Sequence, residues 1–209
     1  MTKQQTLDRI LAEKVVAIVR LDEAEQVAPT IEAINAGGLS VVEVTVGTPQ
    51  VMQHIAQYAP HPSILMGVGS VTDVKTAEEA LAAGAKFIVT PVSKASVIKV
   101  AQQHQVPIFS GAFSLGEILQ AYEWGADVIK VFPAGTLGIS YFRAIKAPMP
   151  FLPLMPTGGV TLENANDWLS AGACALGVGS ALTDPTAIAQ SNYDQITENA
   201  RRLRRSVTG

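Results

Sequence analysis

Short apolar runs rich in β-branched residues alternate along the chain with longer stretches in which apolar residues recur every three or four positions. The first pattern is typical of buried β-strands and the second of amphipathic helices. The pattern predicts eight strands, at residues 15–20, 41–46, 64–69, 87–91, 106–111, 128–133, 151–156 and 175–180. Helices are predicted between them, among them 73–83, 93–103, 114–124 and 162–171, and one at about 3–13 precedes the first strand.

The eight strand–helix units follow one another without a linker, a low-complexity segment or a change of composition. Eight consecutive units favour a closed (β/α)8 TIM barrel with an N-terminal helix over an open doubly wound sheet. The near-continuous apolar strands fit this fold as well, because a parallel sheet is covered on both faces. We therefore expect an α/β protein in which residues 1–209 form a single (β/α)8 barrel domain.

Composition narrows the class of protein. Hydrophobic residues make up 48% of the chain and charged residues 16%, which excludes a disordered chain. A net charge of −3 supplies no basic stripe for nucleic acid, and no apolar run approaches the ~18 residues that span a bilayer. The first residues lack the layout of a secretory signal, and the single cysteine, Cys174, fits a reducing compartment. We expect a cytoplasmic protein that binds neither nucleic acid nor membranes.

A repeated lead-in predicts which side chains enter the barrel. Each even-numbered strand follows a glycine that would end the preceding helix: Gly38, Gly84, Gly125 and Gly172. The fifth and seventh residues after each glycine share one face of the strand, and alternate strands fill the same interior layer. The fifth residues are Glu43, Val89, Lys130 and Gly177, and the seventh are Thr45, Pro91, Phe132 and Gly179. If these residues face inward, Glu43 and Lys130 lie in one layer on opposite walls.

A lysine and a glutamate inside an apolar barrel are costly unless they are paired or used. One interpretation is a buried ion pair that only fills space, although apolar side chains would often serve stability as well. The other is a Schiff-base lysine with an acid/base partner. Desolvation favours a neutral amine that can attack a ketone, and the carboxylate can move protons at the neighbouring carbon. On this interpretation Lys130, the one lysine within the predicted strands, is the nucleophile and Glu43 the general acid/base.

Two glycine-rich loops predict an anion site at the mouth of the barrel. Residues 156–160 close the seventh strand and residues 177–180 close the eighth. In TIM barrels the loops after these strands often bind phosphate through backbone N–H groups. Alternatively, the glycines only permit turns or packing. A third glycine pair places Ser70 near the mouth, where it could donate to a substrate carboxylate or hydroxyl.

Other chemistries find little support. His54, His61 and His104 lack metal-ligand spacing and are interpreted as surface or packing residues. Cys174 stands among small residues and is interpreted as a packing residue. The sequence contains no Gly-x-Ser-x-Gly elbow, Walker loop or nicotinamide fingerprint. We therefore expect neither a metal nor a cofactor.

Several segments together resemble a known family. They are Val42-Glu43-Val44-Thr45, Gly67-Val68-Gly69-Ser70-Val71, Val89-Thr90-Pro91, Ile129-Lys130-Val131-Phe132-Pro133-Ala134 and Pro156-Thr157-Gly158-Gly159-Val160. These segments are similar to those of the 2-keto-3-deoxy-6-phosphogluconate (KDPG) / 4-hydroxy-2-oxoglutarate (KHG) aldolases, and the resemblance extends from the first strand to the eighth. It implies a metal-free class I aldolase, usually a homotrimer, that cleaves a keto acid such as KDPG reversibly to pyruvate and an aldehyde.

The resemblance also implies roles for individual residues. Lys130 would form the imine with the C2 ketone, and Glu43 would act as general acid/base. The substrate-binding residues would be Thr45, Ser70, Pro91, Phe132 and Thr157, with Ser70 in place of the family's usual threonine. The phosphate of a small phosphorylated keto acid would be held by Gly158, Gly159, Gly179 and Ser180.

One departure leaves the substrate open. The phosphogluconate enzymes usually have an arginine that holds the substrate carboxylate where this chain has Gly47, and glycine supplies no charge-assisted fork. No other arginine is an obvious substitute. The following residues 48–50, Thr-Pro-Gln, are more similar to the branch that acts on 2-keto-3-deoxy-6-phosphogalactonate. The alternatives are that galactonate substrate, a barrel phosphosugar isomerase, epimerase or synthase without a Schiff base, and a phosphosugar-binding barrel without aldolase activity.

Overall fold

The computed structural model describes residues 1–208, and Gly209, the last residue of the predicted domain, lies outside the described residues. Its strands are β1 (Val15–Val19), β2 (Val41–Thr45), β3 (Leu65–Gly69), β4 (Ile88–Val89), β5 (Ile108–Ala112), β6 (Val128–Val131), β7 (Leu154–Pro156) and β8 (Leu176–Val178). They are parallel neighbours in the order β7-β6-β5-β4-β3-β2-β1-β8. The sheet closes where Thr157 bridges Gly177 and the Cys174 N–H donates to the Leu154 carbonyl. The predicted (β/α)8 TIM barrel with an N-terminal helix is confirmed.

The helices lie between the strands in the chain, as the periodicity predicts. They are α1 (Lys3–Glu13), α2 (Val27–Ala36), α3 (Val51–Tyr58), α4 (Val74–Ala82), α5 (Ala95–Gln103), α6 (Leu115–Glu123), α7 (Ala134–Lys146), α8 (Ala165–Ser170), α9 (Pro185–Ala189) and α10 (Tyr193–Thr208). Helix α8 begins later than predicted because the Thr161 hydroxyl accepts from the Glu163 and Asn164 N–H groups and holds a turn there. Within residues 1–208, every helix is too short or too polar to cross a bilayer.

Most of the strands end earlier at the barrel mouth than the apolar pattern predicts. Strand β4 stops at Val89 and β6 stops at Val131, before Pro91 and Pro133. A proline has no N–H to donate to the ladder, and Pro91 and Pro133 lie in the loops after these strands. The side chains of the predicted strand ends therefore stand at the mouth rather than inside the sheet.

The lead-in glycines end the helices as predicted. Gly38, Gly84, Gly125 and Gly172 all have φ between +87° and +105°, which glycine adopts without steric cost. The lower barrel interior is an apolar cluster that includes Val41, Val89 and Val128, and Ile10 of α1 packs into it. Helix α1 therefore closes the N-terminal end of the barrel, and access to the interior is left at the C-terminal end of the strands.

Candidate active site

Lys130 lies in the middle of β6, between Gly111 of β5 and Met155 of β7. Its side chain is 4% exposed and points inward, as its spacing from Gly125 predicts. No acidic side chain in residues 1–208 comes within 4.0 Å of its amine, and Nζ lies 5.5 Å from the centre of the Phe132 ring. The amine is therefore buried without a direct ion pair to any of residues 1–208, and it lines a cavity of about 300 Å³ at the barrel mouth.

Most of the predicted site residues line this one cavity. They are Lys130, Ser70, Pro91, Phe132, Thr157, Gly158, Gly159, Gly179 and Ser180. Two predicted residues, Glu43 and Thr45, do not belong to its lining and are buried in β2. The Thr45 hydroxyl lies 3.3 Å from the Thr48 hydroxyl, and the Thr48 N–H donates to the Thr45 carbonyl. Thr45 therefore holds the turn after β2 in this structure.

Glu43 is 1% exposed, and neither carboxyl oxygen has a hydrogen-bond partner in the part of the chain that the structure describes. Burial raises the pKa of the Glu43 carboxyl, against the opposing charges of Lys130 and Arg20. The buried ion pair that the sequence left open as one interpretation is not formed, because the two groups are more than 4.0 Å apart. A carboxyl with a raised pKa and free oxygens is suited to give and take a proton as a general acid/base.

Thr157 follows β7 and presents a hydroxyl with no protein partner. The residue is 5% exposed, and its Oγ1 is buried without a hydrogen bond from any residue in 1–208. The hydroxyl lies against Gly177, where any side chain would overlap it. A buried polar group without a partner costs free energy, so this hydroxyl is a natural contact for a bound polar ligand.

The loops after β7 and β8 present free backbone donors. The N–H groups of Gly158, Gly159 and Ser180 donate to no backbone acceptor in the described chain. Gly158 and Gly159 have φ of +79° and +86°, a conformation that favours glycine. The Gly158 carbonyl accepts from the Gly135 N–H at 2.7 Å, which fixes this loop against the start of α7. The arrangement suits an anion at the mouth.

Arg20 is a cavity residue that the sequence analysis missed. It follows β1 and lines the cavity, and its Nη2 donates to the Ser70 hydroxyl at 3.2 Å. Ser70 itself has φ of +61°, an uncommon conformation for a residue other than glycine. The alternation of side chains along a strand could have revealed it, because Ile18 lines the cavity and Arg20, two residues later, faces the same side. The expectation that no arginine replaces the one absent at Gly47 was therefore wrong, since a guanidinium does stand at this mouth.

The histidines and the cysteine stand apart from this site. His54 is buried with both ring nitrogens unpartnered among the described residues, and His104 pairs with Glu78 at 2.7 Å. Burial raises the pKa of the Cys174 thiol to about 11, which suits a packing role. Within residues 1–208 no three His, Cys, Asp or Glu side chains are grouped so that they could hold a metal ion.

Comparison with known proteins agrees with the geometry. The family model described as "Aldolase: KDPG and KHG aldolase" matches residues 7–199. A 2-dehydro-3-deoxy-phosphogluconate aldolase of Treponema pallidum (strain Nichols) is 32% identical over 195 residues, which is 92% of this chain and 91% of that protein. Two solved structures are similar as well. KDPG aldolase of Legionella pneumophila, with pyruvate captured as a covalent carbinolamine, is 29% identical with a TM-score of 0.86 over 93% of this chain and 96% of that chain, and native KDPGal is 26% identical with a TM-score of 0.85 over 92% and 93%. This chain therefore belongs to the KDPG and KHG aldolase family.

Proposed function

We propose that this aldolase cleaves KDPG, KHG or both, reversibly, to pyruvate and an aldehyde, which is glyceraldehyde 3-phosphate or glyoxylate. The observation that carries the proposal is the Lys130 amine, buried without a direct ion pair to any of the described residues and open to a cavity at the barrel mouth. Relatives named for the same reaction support it, as does the Legionella pneumophila structure with its pyruvate carbinolamine.

The proposed reaction runs through an imine. The Lys130 amine adds to the C2 ketone, and the hydroxyl of the resulting carbinolamine takes a proton from the Glu43 carboxyl and leaves as water, which gives the protonated imine and a Glu43 carboxylate. The Glu43 carboxylate takes the proton of the C4 hydroxyl, the C3–C4 bond breaks to release the aldehyde, and its electron pair moves to the imine nitrogen to give an enamine. Glu43 then returns this proton to C3, and water hydrolyses the protonated imine to pyruvate and the free amine, with the remaining proton taken up by Glu43. The separation of more than 4.0 Å between the two groups leaves room for the reacting carbons or for a relaying water.

The mouth residues orient the substrate in this proposal. Arg20 and Ser70 would hold the carboxylate beside the ketone, and Thr157 would donate to an oxygen near the reacting carbons. Thr45 would act indirectly, through the turn after β2. The phosphate would accept from the N–H groups of the loops that contain Gly158, Gly159, Gly179 and Ser180, while Pro91 and Phe132 pack against the carbon chain.

A second substrate, 2-keto-3-deoxy-6-phosphogalactonate, is favoured by one specific feature. The backbone of Gly47 is not left-handed, so this position does not require glycine, and a Cβ there would meet nothing within 4 Å. The position after β2 therefore carries no cation although the fold has room for one, and Arg20, just after β1, supplies the charge from the other side. The likeness to native KDPGal fits this arrangement.

We also propose that the protein is a homotrimer, with residues 1–209 as one domain, and that it works in the cytoplasm. An exposed apolar groove of about 420 Å³ adjoins the catalytic cavity and includes Val92, Phe113 and Phe132. These side chains are 50%, 43% and 38% exposed, which suits a contact with another copy of the chain. Light scattering on the wild type and on Phe113→Lys tests this, with a smaller mass expected for the variant and a monomeric wild type as the refuting result.

Borohydride reduction in the presence of pyruvate tests the imine. The wild type is expected to gain one stable adduct at Lys130, and Lys130→Met is expected to gain none and to release no pyruvate from KDPG. Lys75→Met, a matched change at a lysine whose side chain is 85% exposed, should behave as the wild type. Pyruvate release is then compared on the gluconate and galactonate epimers. Normal turnover without trapping would favour a phosphosugar enzyme that uses no Schiff base, and ligand binding without turnover would favour a non-catalytic binder.

A further inference from the structure

Gly69, the last residue of β3, is a glycine that the backbone does not require. Its φ lies outside the left-handed region, so an L-residue could adopt the same conformation. It pairs with Thr45 in the parallel register, and its carbonyl accepts from the Val46 N–H at 2.9 Å. Another reason must account for the missing side chain.

The space beside Gly69 is filled by Glu43. A Cβ built on Gly69 would have three atoms of the Glu43 side chain, Cγ, Cδ and Oε1, as its nearest neighbours, all well inside contact distance. Glu43 is therefore the first group that a side chain at residue 69 would displace. The carboxyl of β2 lies over the bare backbone of the neighbouring strand.

No hydrogen bond from residues 1–208 holds this carboxyl in place, so its position depends on the packing around it. Neither of its oxygens accepts a hydrogen bond from any residue in 1–208. The carboxylate of Glu13 provides the contrast within the same chain, because it accepts from the Ser40 N–H, the Ser40 hydroxyl and the Val41 N–H. Glu13 would keep its place if a neighbour changed size, whereas Glu43 has no such bonds to keep it there.

We propose that Gly69 is a positioning residue for the reaction, because the volume left by its absent side chain sets the place of the Glu43 carboxyl relative to the Lys130 imine. This inference rests on the proposed function. Holding the carboxyl by shape leaves its oxygens free to exchange protons with the substrate. Proton transfer requires hydrogen-bond reach, so a displacement of about 1 Å is enough to slow it strongly.

The test isolates the proton step from the identity of the aldehyde. Pyruvate is incubated in D₂O with each variant, and NMR follows deuterium entering the methyl group, which needs the imine at Lys130 and proton transfer by Glu43. Gly69→Ala is compared with Gly116→Ala, a matched change on exposed α6 where a Cβ would meet nothing within 4 Å. Both are also made with Glu43→Ala, which completes a double-mutant cycle.

Gly69→Ala is expected to slow exchange on the order of 100-fold, the scale of one acid/base group, and to move the limb of the pH–rate profile that reports the carboxyl. Borohydride trapping of pyruvate should persist, because Lys130 is not displaced. In the Glu43→Ala background the same change at residue 69 should have no further effect on exchange. If Gly69→Ala fails to fold, Gly69→Ala/Glu43→Ala is expected to fold, because the conflict in volume is gone.

The outcomes distinguish a failure of the Gly69 inference from a failure of the proposed function. An active wild type with Gly69→Ala equal to Gly116→Ala overturns the inference alone. Equal slowing by Gly69→Ala in both backgrounds, or a double variant that also fails to fold, overturns it too, because residue 69 would then act through something other than Glu43. A wild type that neither traps nor exchanges pyruvate overturns the proposed function and this inference with it.

Discussion

Replacing Thr157 by valine should stabilise the free enzyme and weaken it as a catalyst. Valine has nearly the shape of threonine, so the contact with Gly177 is kept and only the hydroxyl is lost. That hydroxyl is buried and has no partner among residues 1–208. The substitution therefore removes a cost in the free protein and a donor for the bound substrate.

The two effects can be given magnitudes. A buried hydroxyl without a partner costs ~1–3 kcal/mol, so the free energy of unfolding should rise by about 2 kcal/mol. For a chain of this length 1 kcal/mol corresponds to roughly 2–4 °C, which gives an increase in Tm of about 4–8 °C. A hydrogen bond to substrate contributes ~0.5–1.5 kcal/mol, so kcat/KM for pyruvate release should fall about 2- to 12-fold.

Thermal unfolding of the free protein and steady-state pyruvate release are the two assays. Thr30→Val is the control for the sign of the stability change, because the Thr30 hydroxyl is buried and donates to the Gln26 carbonyl at 2.7 Å. That variant should lose about 1 kcal/mol. A Thr157→Val protein that melts below the wild type, or that turns over at the wild-type rate, would refute the assignment of a free, substrate-facing hydroxyl.

Three further predictions concern charged and titrating groups. Arg20→Gln should raise KM for the keto acid roughly 10- to 100-fold in pyruvate-release kinetics with a smaller change in kcat, and an unchanged KM would contradict a carboxylate contact. Burial raises the pKa of Glu43 above its ordinary value of 4.5, so the carboxyl binds a proton more tightly in the folded protein than in the unfolded chain. The stability that the protonated carboxyl contributes below pH 4.5 is therefore lost as the pH rises through the raised pKa. Chemical denaturation should therefore show the free energy of unfolding of Glu43→Gln rising relative to the wild type from about pH 4 to about pH 8, and a constant difference would refute this. Burial lowers the pKa of His54 below 6.5, so the stability that its neutral ring contributes above that pH is lost as the pH falls through the lowered pKa. His54→Leu should therefore resist acid unfolding better than the wild type, and identical acid transitions would contradict this prediction.

Much of the fold could be predicted from the sequence because its signals are local. Apolar periodicity predicted the eight strands and the helices α1, α4, α5, α6 and α8, and the glycines at Gly38, Gly84, Gly125 and Gly172 fixed the phase of the even strands. Counting from those glycines placed Lys130 inside the barrel. The boundaries at the mouth were less accurate, because the apolar runs continue through Pro91 and Pro133 although the hydrogen-bonded ladder cannot.

The cavity was harder to predict because both odd-numbered and even-numbered strands contribute residues to its walls. The glycine lead-in occurs only before even strands, so the odd strands had no phase and Arg20 was not recognised. Likewise, the count put Glu43 and Lys130 in one layer but could not state their separation, which depends on the tilt of the strands. Only the structure shows a carboxyl that is buried, unpaired and outside the cavity lining.

The inward glycines explain why this barrel can hold polar groups in an apolar interior. The position of a side chain at Gly67 is occupied by the Phe87 ring, that at Gly111 by the Pro91 backbone, that at Gly69 by the Glu43 side chain and that at Gly177 by the Thr157 hydroxyl. In each case a neighbouring segment of the barrel supplies the group, so a glycine here is one half of a pair. At Gly69 and Gly177 the group is a polar side chain, and neither the Glu43 carboxyl nor the Thr157 hydroxyl has a hydrogen bond from residues 1–208. At Gly67 and Gly111 a side chain would overlap an aromatic ring or the backbone, so substitutions there should destabilise the fold, whereas at Gly69 and Gly177 a side chain would first displace a polar group of the site.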